Sequence, residues 1–297
     1  MSRAALAPPP PDDFDVDQLF QLETLDRDIF RGLSQWSVRS VFGGQVIGQA
    51  LLAASLTIED DARPAHSLHA YFLRPGDPNA PIVYYIERIR NGRSFSTRRI
   101  VAVQHGEPIF NMDASFHLHE EGLEYQMPMP DVTPPEELRS ESDLRGEYAD
   151  RLPPQVREMF LRPRPVELRP VEPYDLFNPE PKEPLRHQWM RSTIALGDDP
   201  RLQQALLAYA SDMSLMGTSM LPHGITFMKR GYFGASLDHA MWFHRDFDLQ
   251  DWLLYVNDSP VAHGARGYNR GLFYTRDGAL VASTMQEGLV RYRPPSE

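Results

Sequence analysis

The chain contains no cysteine. That excludes a disulfide framework, cysteine-ligated zinc and a thiol nucleophile together, and it is compatible with a cytoplasmic protein. No run approaches the ~20 apolar residues that a membrane helix needs, so no membrane span is expected. An excess of basic charge is also missing. Thirty Lys and Arg stand against 41 Asp and Glu, for a net charge of -11. Nonspecific nucleic-acid binding requires the opposite balance, so no nucleic-acid partner is expected. An anionic small ligand is still compatible, because a few arginines and helix N-termini can hold phosphates on an acidic protein. The first thirteen residues, Met1 to Asp13, are Pro-rich and acidic and lack the apolar core of a signal peptide; they read as a flexible tail. The C-terminal Arg293-Pro294-Pro295-Ser296-Glu297 does not read as a peroxisomal address.

What is present is ample apolar content, 41% of 297 residues, enough for two cores of ordinary size. The order of the chain is repetitive. His69-Ala70-Tyr71-Phe72-Leu73-Arg74 returns as His239-Ala240-Met241-Trp242-Phe243-His244-Arg245. Each copy follows an apolar, helix-like run, Val46 to Ile58 and Leu202 to Met216, and precedes strand-like runs around tight turns. The pattern reads as α+β and duplicated, one buried helix wrapped by one antiparallel sheet in each repeat. Residues 14–125 form the first repeat and 185–297 the second. Between them, 126–184 holds about half of the 27 prolines and reads as a connector with a short helix near Pro135 to Leu144 or Pro153 to Phe160. Phe14 to Leu25 reads as a short helix and Ile29 to Phe42 as one or two strands.

The repeats differ in chemistry. The second helix, read as Asp199 to Met216, carries Asp212 on its apolar face, and the first carries no acid there. Burial is costly for a carboxylate without partners and raises its pKa. The alternative for Asp212 alone is an exposed acid on one polar stripe. Strand alternation puts Ser236 and Asp238 on one face, with Ala235, Leu237 and His239 on the other. Gln286 closes a strand-like run before Gly288. Each of these polar residues alone is more commonly a surface strand residue, and His239 a strand or interface histidine. An acid, a hydroxyl and an amide together could hold and polarise one water for general-base hydrolysis. Gly43-Gly44-Gln45 opens the first helix, where backbone N–H groups could meet developing negative charge; helix packing explains the same glycines equally well.

Several motifs resemble a known family. Tyr209-Ala210-Ser211-Asp212, Leu237-Asp238-His239-Ala240-Met241-Trp242-Phe243-His244-Arg245, Trp252-Leu253-Leu254-Tyr255 and Gln286-Glu287-Gly288 are similar to the bacterial acyl-CoA thioesterase II family. Phe42-Gly43-Gly44-Gln45-Val46-Ile47-Gly48-Gln49-Ala50 and Leu73-Arg74-Pro75-Gly76-Asp77 resemble its N-terminal half. The resemblance runs from about Phe20 to Tyr292. It implies a double hotdog fold, hydrolysis of fatty acyl-CoA to free acid and CoA, no cofactor, and a homo-oligomer. It further implies a catalytic Asp, Thr and Gln that orient the attacking water. These map to Asp212, Ser236 and Gln286, so serine replaces the family threonine at 236. Serine keeps the hydroxyl and loses the methyl that stiffens the rotamer. Two other readings stand beside this one: a hotdog enoyl-CoA hydratase and a non-catalytic acyl-CoA-binding protein. Gly76-Asp77-Pro78-Asn79-Ala80-Pro81 partly resembles a hydratase signature, but the His expected after it is missing and it reads as a turn. No Gly-x-Ser-x-Gly is present for a serine nucleophile. His66, His69, His117 and His119 have no metal spacing, so no metal is expected. Arg74, Arg93, Arg98, Arg99, Arg245, Arg266 and Arg270 are the arginines considered for CoA phosphates.

Overall fold

The computed structural model describes residues 16–34, 40–59, 63–152, 154–173, 175–197 and 199–294. The tail 1–13 and part of the strand-like stretch 29–42 lie outside them. Helix α1 (Gly43–Ser55) is apolar almost all round, and every residue from Gly44 to Ser55 is buried. It is followed by β3 (Ala65–Phe72), β4 (Ile82–Asn91), β5 (Phe95–Gln104) and β6 (Glu107–His117). Strands β1 (Glu23–Asp26) and β2 (Ile29–Gly32) form a hairpin that adds to β4. The helix expected over Phe14 to Leu25 is therefore only the 3₁₀ turn Val16–Phe20. The residues after it are taken by the hairpin, whose turn holds Asp28 at φ 60°.

In the second half, α4 (Pro200–Ser211) is surrounded by β8 (Leu185–Ser192), β10 (Asp238–Phe243), β11 (Leu253–His263), β12 (Arg266–Thr275) and β13 (Leu280–Tyr292). All strand pairs are antiparallel, and they join into one 13-stranded sheet. Its order is β1-β2-β4-β5-β6-β3-β10-β13-β12-β11-β8-β7, with β9 (Tyr232–Ser236) added beside β13. The connector does more than connect. The helix weighed near Pro153 to Phe160 forms as α3 (Pro154–Leu161), whereas the stretch Pro135 to Leu144 holds only a 3₁₀ turn, Pro135–Glu137, and the start of α2 (Glu141–Ala149), which Ser140 caps by accepting from the Asp143 N–H at 3.1 Å. Its β7 (Val166–Pro170) pairs with β8 at the sheet edge. That strand is only five residues long and was too short for periodicity to reveal. Among the described residues no helix is long and apolar enough to cross a membrane.

The halves meet where the repeated motif pairs with itself. In β3 and β10, Ala70 lies opposite His239 and His69 opposite Ala240. The copies align differently from their leading His-Ala. The backbone N–H groups of Leu73 and Arg74 both bond to Ile109 O, and those of His244 and Arg245 both bond to Val281 O. Arg74 thus corresponds to Arg245 and Phe72 to Phe243. Counting back, His239 corresponds to the buried Leu68, and His69 to Ala240. A one-residue shift moves a strand side chain to the other face, and His69 is indeed exposed where His239 is buried.

The two helices run antiparallel at very close range. A Cβ added at Gly48 would stand 2.7 Å from Ala205 O, and one at Gly44 would overlap Tyr209 O. This geometry brings the N-terminus of α1 against the C-terminus of α4, and the site forms there.

Candidate active site

Asp212 is not inside the helix, as the apolar run suggested, but is its C-cap residue, with φ -79° and ψ -14°. Helical hydrogen bonding ends just before it. Two residues later Ser214 takes a left-handed conformation at φ 65°, and a 3₁₀ segment, Met216–His223, follows. The end of α4 is also held from the sheet, because Tyr255 Oη donates to Ser211 O at 2.7 Å.

Three groups reach the Asp212 carboxylate. Gln286 Nε2 donates to Oδ1 at 2.5 Å. The Gly44 backbone N–H and the Ser236 hydroxyl also hydrogen-bond to it. Some solvent still reaches Asp212, while its surroundings are mostly protein. That burial pushes its carboxyl above the usual carboxylate range, and the bonds from Gln286, Gly44 and Ser236 oppose the shift only in part. The α1 N-terminus points at this carboxylate, adding the favourable end of a helix dipole. The outcome is an accessible carboxylate of enhanced basicity, fixed in orientation by an amide, a hydroxyl and a peptide N–H.

Ser236 ends β9, at a break in the strand. Beyond it the Leu237 N–H bonds to Glu287 O at 3.0 Å, and the chain re-enters the sheet as β10. Asp238 does not join the site. Its Oδ1 accepts from the Glu287 N–H at 2.7 Å. Gln286 lies in β13 and is buried; its Oε1 has no hydrogen-bond partner among the described residues. Of the three residues opening α1, Gly44 gives its N–H to Asp212, and Gln45 gives its N–H to Phe42 O at 3.1 Å. The Gln45 side chain bonds to Leu33 O at 2.9 Å. Gly43 leaves open the space next to the acid. A Cβ there would lie 2.8 Å from Asp212 Oδ2 and 2.9 Å from the Phe72 ring. The site is therefore shared, with α1 and Phe72 from the first repeat and Asp212, Ser236 and Gln286 from the second.

His239, read from the sequence as a strand or interface histidine, lies against this constellation. His239 is buried, and its Nδ1 lies 3.2 Å from Gln286 Nε2. Its Nε2 lies 2.9 Å from Ser211 Oγ and 3.0 Å from Thr284 Oγ1. Burial lowers its pKa to about 3, so the ring is neutral at ordinary pH. The signal that could have shown this placement was the extra residue in the second copy of the repeat, which turns a His inward where the first copy has Leu.

Other residues considered from sequence lie elsewhere. Gly76 to Pro81 is a turn tied by Gln104, whose Oε1 accepts from the Asp77 N–H and whose Nε2 donates to Asp77 O and Ala80 O. Arg98 is buried and binds Thr57 and nearby backbone carbonyls. Arg74, Arg99, Arg245, Arg266 and Arg270 lie in ion pairs with Glu107, Asp113, Glu124, Glu287 and Asp258. Among the described residues, no three His, Asp or Glu converge to hold a metal ion.

Comparison with known proteins gives a consistent result. A family described as acyl-CoA thioesterase matches residues 155–289, and one described as acyl-CoA thioesterase N-terminal domain matches residues 33–117. Acyl-CoA thioesterase 2 of Haemophilus influenzae is 42% identical over 275 residues, covering 92% of this chain and 96% of its own. Human acyl-coenzyme A thioesterase 8 is 40% identical over 288 residues, covering 94% and 89%. The crystal structure of acyl-CoA thioesterase II TesB2 from Mycobacterium marinum matches with a TM-score of 0.76 at 40% identity, covering 94% of this chain and 99% of that one.

Proposed function

The chain belongs to the acyl-CoA thioesterase family, and on that premise we propose that a water held among Asp212, Ser236 and Gln286 cleaves the thioester of a fatty acyl-CoA. Hydrolysis of acyl-CoA to free acid and CoA is the activity of a chain about 40% identical to acyl-CoA thioesterases over nearly its whole length. In the proposed mechanism the Asp212 carboxylate takes a proton from the water as its oxygen attacks the thioester carbon. The C–S bond then breaks, and the proton on Asp212 passes to the departing CoA sulfur. Gln286 and Ser236 fix the carboxylate and the water. Gly43 leaves room beside Oδ2 for the reacting carbon, and the α1 N-terminus supplies positive potential as charge builds on the thioester oxygen.

The observation that carries this reading is the Asp212 carboxylate, made more basic by burial and held by Gln286, Ser236 and Gly44 from both repeats. Residues 14–125 and 185–297 act as the two repeats, with the connector 126–184 lending β7 to the second. Homo-oligomer formation and a cytoplasmic location belong to the same proposal. Tyr85 and Ile89, exposed on the outward face of β4, offer apolar area for self-association, which light scattering on the eluting protein would measure. The reaction is tested by following free thiol from acyl-CoA substrates of graded chain length. The expected result is one thiol and one free acid per substrate consumed. Conversion without thiol release, as in hydration of an enoyl-CoA, or tight binding without turnover would overturn it.

A further inference from the structure

We propose that His239 is a positioning residue for the hydrolysis, acting as a neutral acceptor that fixes the amide of Gln286 against Asp212. This rests on the function proposed above and extends it.

The protons can be counted. The Ser211 hydroxyl donates to Ala208 O at 2.8 Å, and the Thr284 hydroxyl donates to Ala240 O at 2.8 Å. Each hydroxyl has one proton, so with those protons on the two carbonyls both hydroxyls accept from His239 Nε2. His239 therefore carries its proton on Nε2 and presents a lone pair at Nδ1. The neighbour at Nδ1 is the Gln286 side-chain nitrogen, 3.2 Å away. That amide has two protons. One goes to Asp212 Oδ1 and the other to His239, which assigns the nitrogen and leaves Oε1 facing away from both. An amide turned over would point its oxygen at a carboxylate and at a lone pair, which is repulsive at both contacts. The two backbone carbonyls thus determine, through two hydroxyls and one imidazole, which way Gln286 faces.

The fold does not require this chain. In the first repeat the residue corresponding to His239 is Leu68. Val281 corresponds to Ile109, so along the neighbouring strand Thr284 corresponds to Met112 and Gln286 to Ala114. Leu68, Met112 and Ala114 are all buried, and the helix caps correspond as Leu56 and Asp212. The same architecture closes with apolar residues at the places of His239, Thr284 and Gln286, while Ser211 corresponds to the buried Ser55, whose hydroxyl donates to Leu51 O at 2.8 Å. The polar chain occurs only beside the proposed catalytic acid.

The test uses the full-length protein and compares His239→Phe, which removes the acceptor, with His239→Asn, whose side-chain oxygen can stand near Nδ1. His239→Phe is expected to lower kcat by about 10–100-fold with KM nearly unchanged, in the range seen for outer-shell partners of reactive groups. His239→Asn is expected to restore most of the loss. In a Gln286→Ala background, His239→Phe should cost nothing further, because the residue it positions is gone. If Phe is rejected by the fold, His239→Leu, the side-chain type of the first repeat, carries the same expectations. Wild-type kcat in a folded Phe or Leu variant, no recovery with Asn, or a full additional loss in the Gln286→Ala background would overturn the proposal. Asp212→Asn measured alongside separates the two levels: its inactivity with a fully active His239→Phe refutes only the positioning role, and its full activity refutes the proposed function.

Discussion

Gly48→Ala isolates the close approach of the two helices on which the shared site depends. Helix propensity alone makes this substitution favourable by ~0.8–1.0 kcal/mol, since Gly48 is inside α1. The surroundings oppose it. The new Cβ would sit 2.7 Å from Ala205 O and 3.0 Å from the Phe20 ring. A carbon beside a carbonyl oxygen is comfortable at roughly 3.3–3.6 Å. The helices would have to part by about 0.6–0.9 Å, and the obstacle is backbone of another helix, which cannot swing aside. Overpacking of this kind costs ~1–3 kcal/mol, so the net effect is destabilising. Parting α1 from α4 also carries Gly44 away from Asp212, and a displacement of about 1 Å in a catalytic constellation can cost on the order of 100-fold. The control is Gly146→Ala in α2, where a Cβ would meet nothing within 4 Å. Propensity acts there unopposed and should stabilise by up to ~1 kcal/mol. Thermal or denaturant unfolding together with thiol-release kinetics decides the matter. Gly48→Ala should lower Tm and kcat while Gly146→Ala raises Tm slightly at wild-type kcat. A Gly48→Ala protein as stable and active as the Gly146→Ala protein would refute the close-approach reasoning.

Ser236→Ala should lower kcat by roughly 10–100-fold, from loss of a hydrogen bond to a charged group worth about 1.5–3 kcal/mol, whereas Ser236→Thr should stay within a few-fold of wild type; equal rates for Ala and wild type would show the hydroxyl is unused. Asp212 must be ionised to act, and burial raises its pKa, so kcat/KM should fall on acidification with a limb above the usual carboxylate range; a limb at or below an ordinary aspartate would contradict the burial. Stability should run differently with pH. The raised Asp212 favours the folded state below its unfolded pKa, and this is lost as pH rises through the folded value. The depressed His239 contributes stability above its unfolded pKa of about 6.5, lost as pH falls toward about 3. Denaturant titrations of wild type and His239→Phe from pH 7 to 4 should converge on the acid side; a constant gap would place the His239 effect elsewhere. A fragment starting near His187 would lack α1 and would expose β10 where β3 now pairs, so it should be insoluble and inactive, and a soluble, active fragment would remove the first repeat from the site.

Much of this was legible because duplication leaves a trace in sequence and chemistry breaks the trace. The apolar runs of α1 and α4 marked the buried helices, and an acid on the apolar face of the second pointed to the site, although its place as the helix cap was not foreseen. Gln286 and Ser236 were visible only as members of a constellation, since each alone resembles a surface strand residue. The leading His-Ala of the two copies suggested that His69 and His239 were equivalents. In the fold one is exposed and the other buried, because strand register rather than residue identity decides the face. The bond from Gly44 to Asp212 was out of reach too, since it depends on how antiparallel helices from distant parts of the chain pack. The hairpin of β1 and β2 and the short edge strand β7 are fixed by sheet pairing, which local periodicity does not record.

The central claim is that Asp212 is the base that activates water. It is tested most directly by the kcat of Asp212→Asn, followed as thiol release at saturating acyl-CoA, with circular dichroism to show that the fold is kept. The account predicts a fall of ~10²–10⁴-fold in a folded protein. A folded Asp212→Asn enzyme with near-wild-type kcat would contradict it.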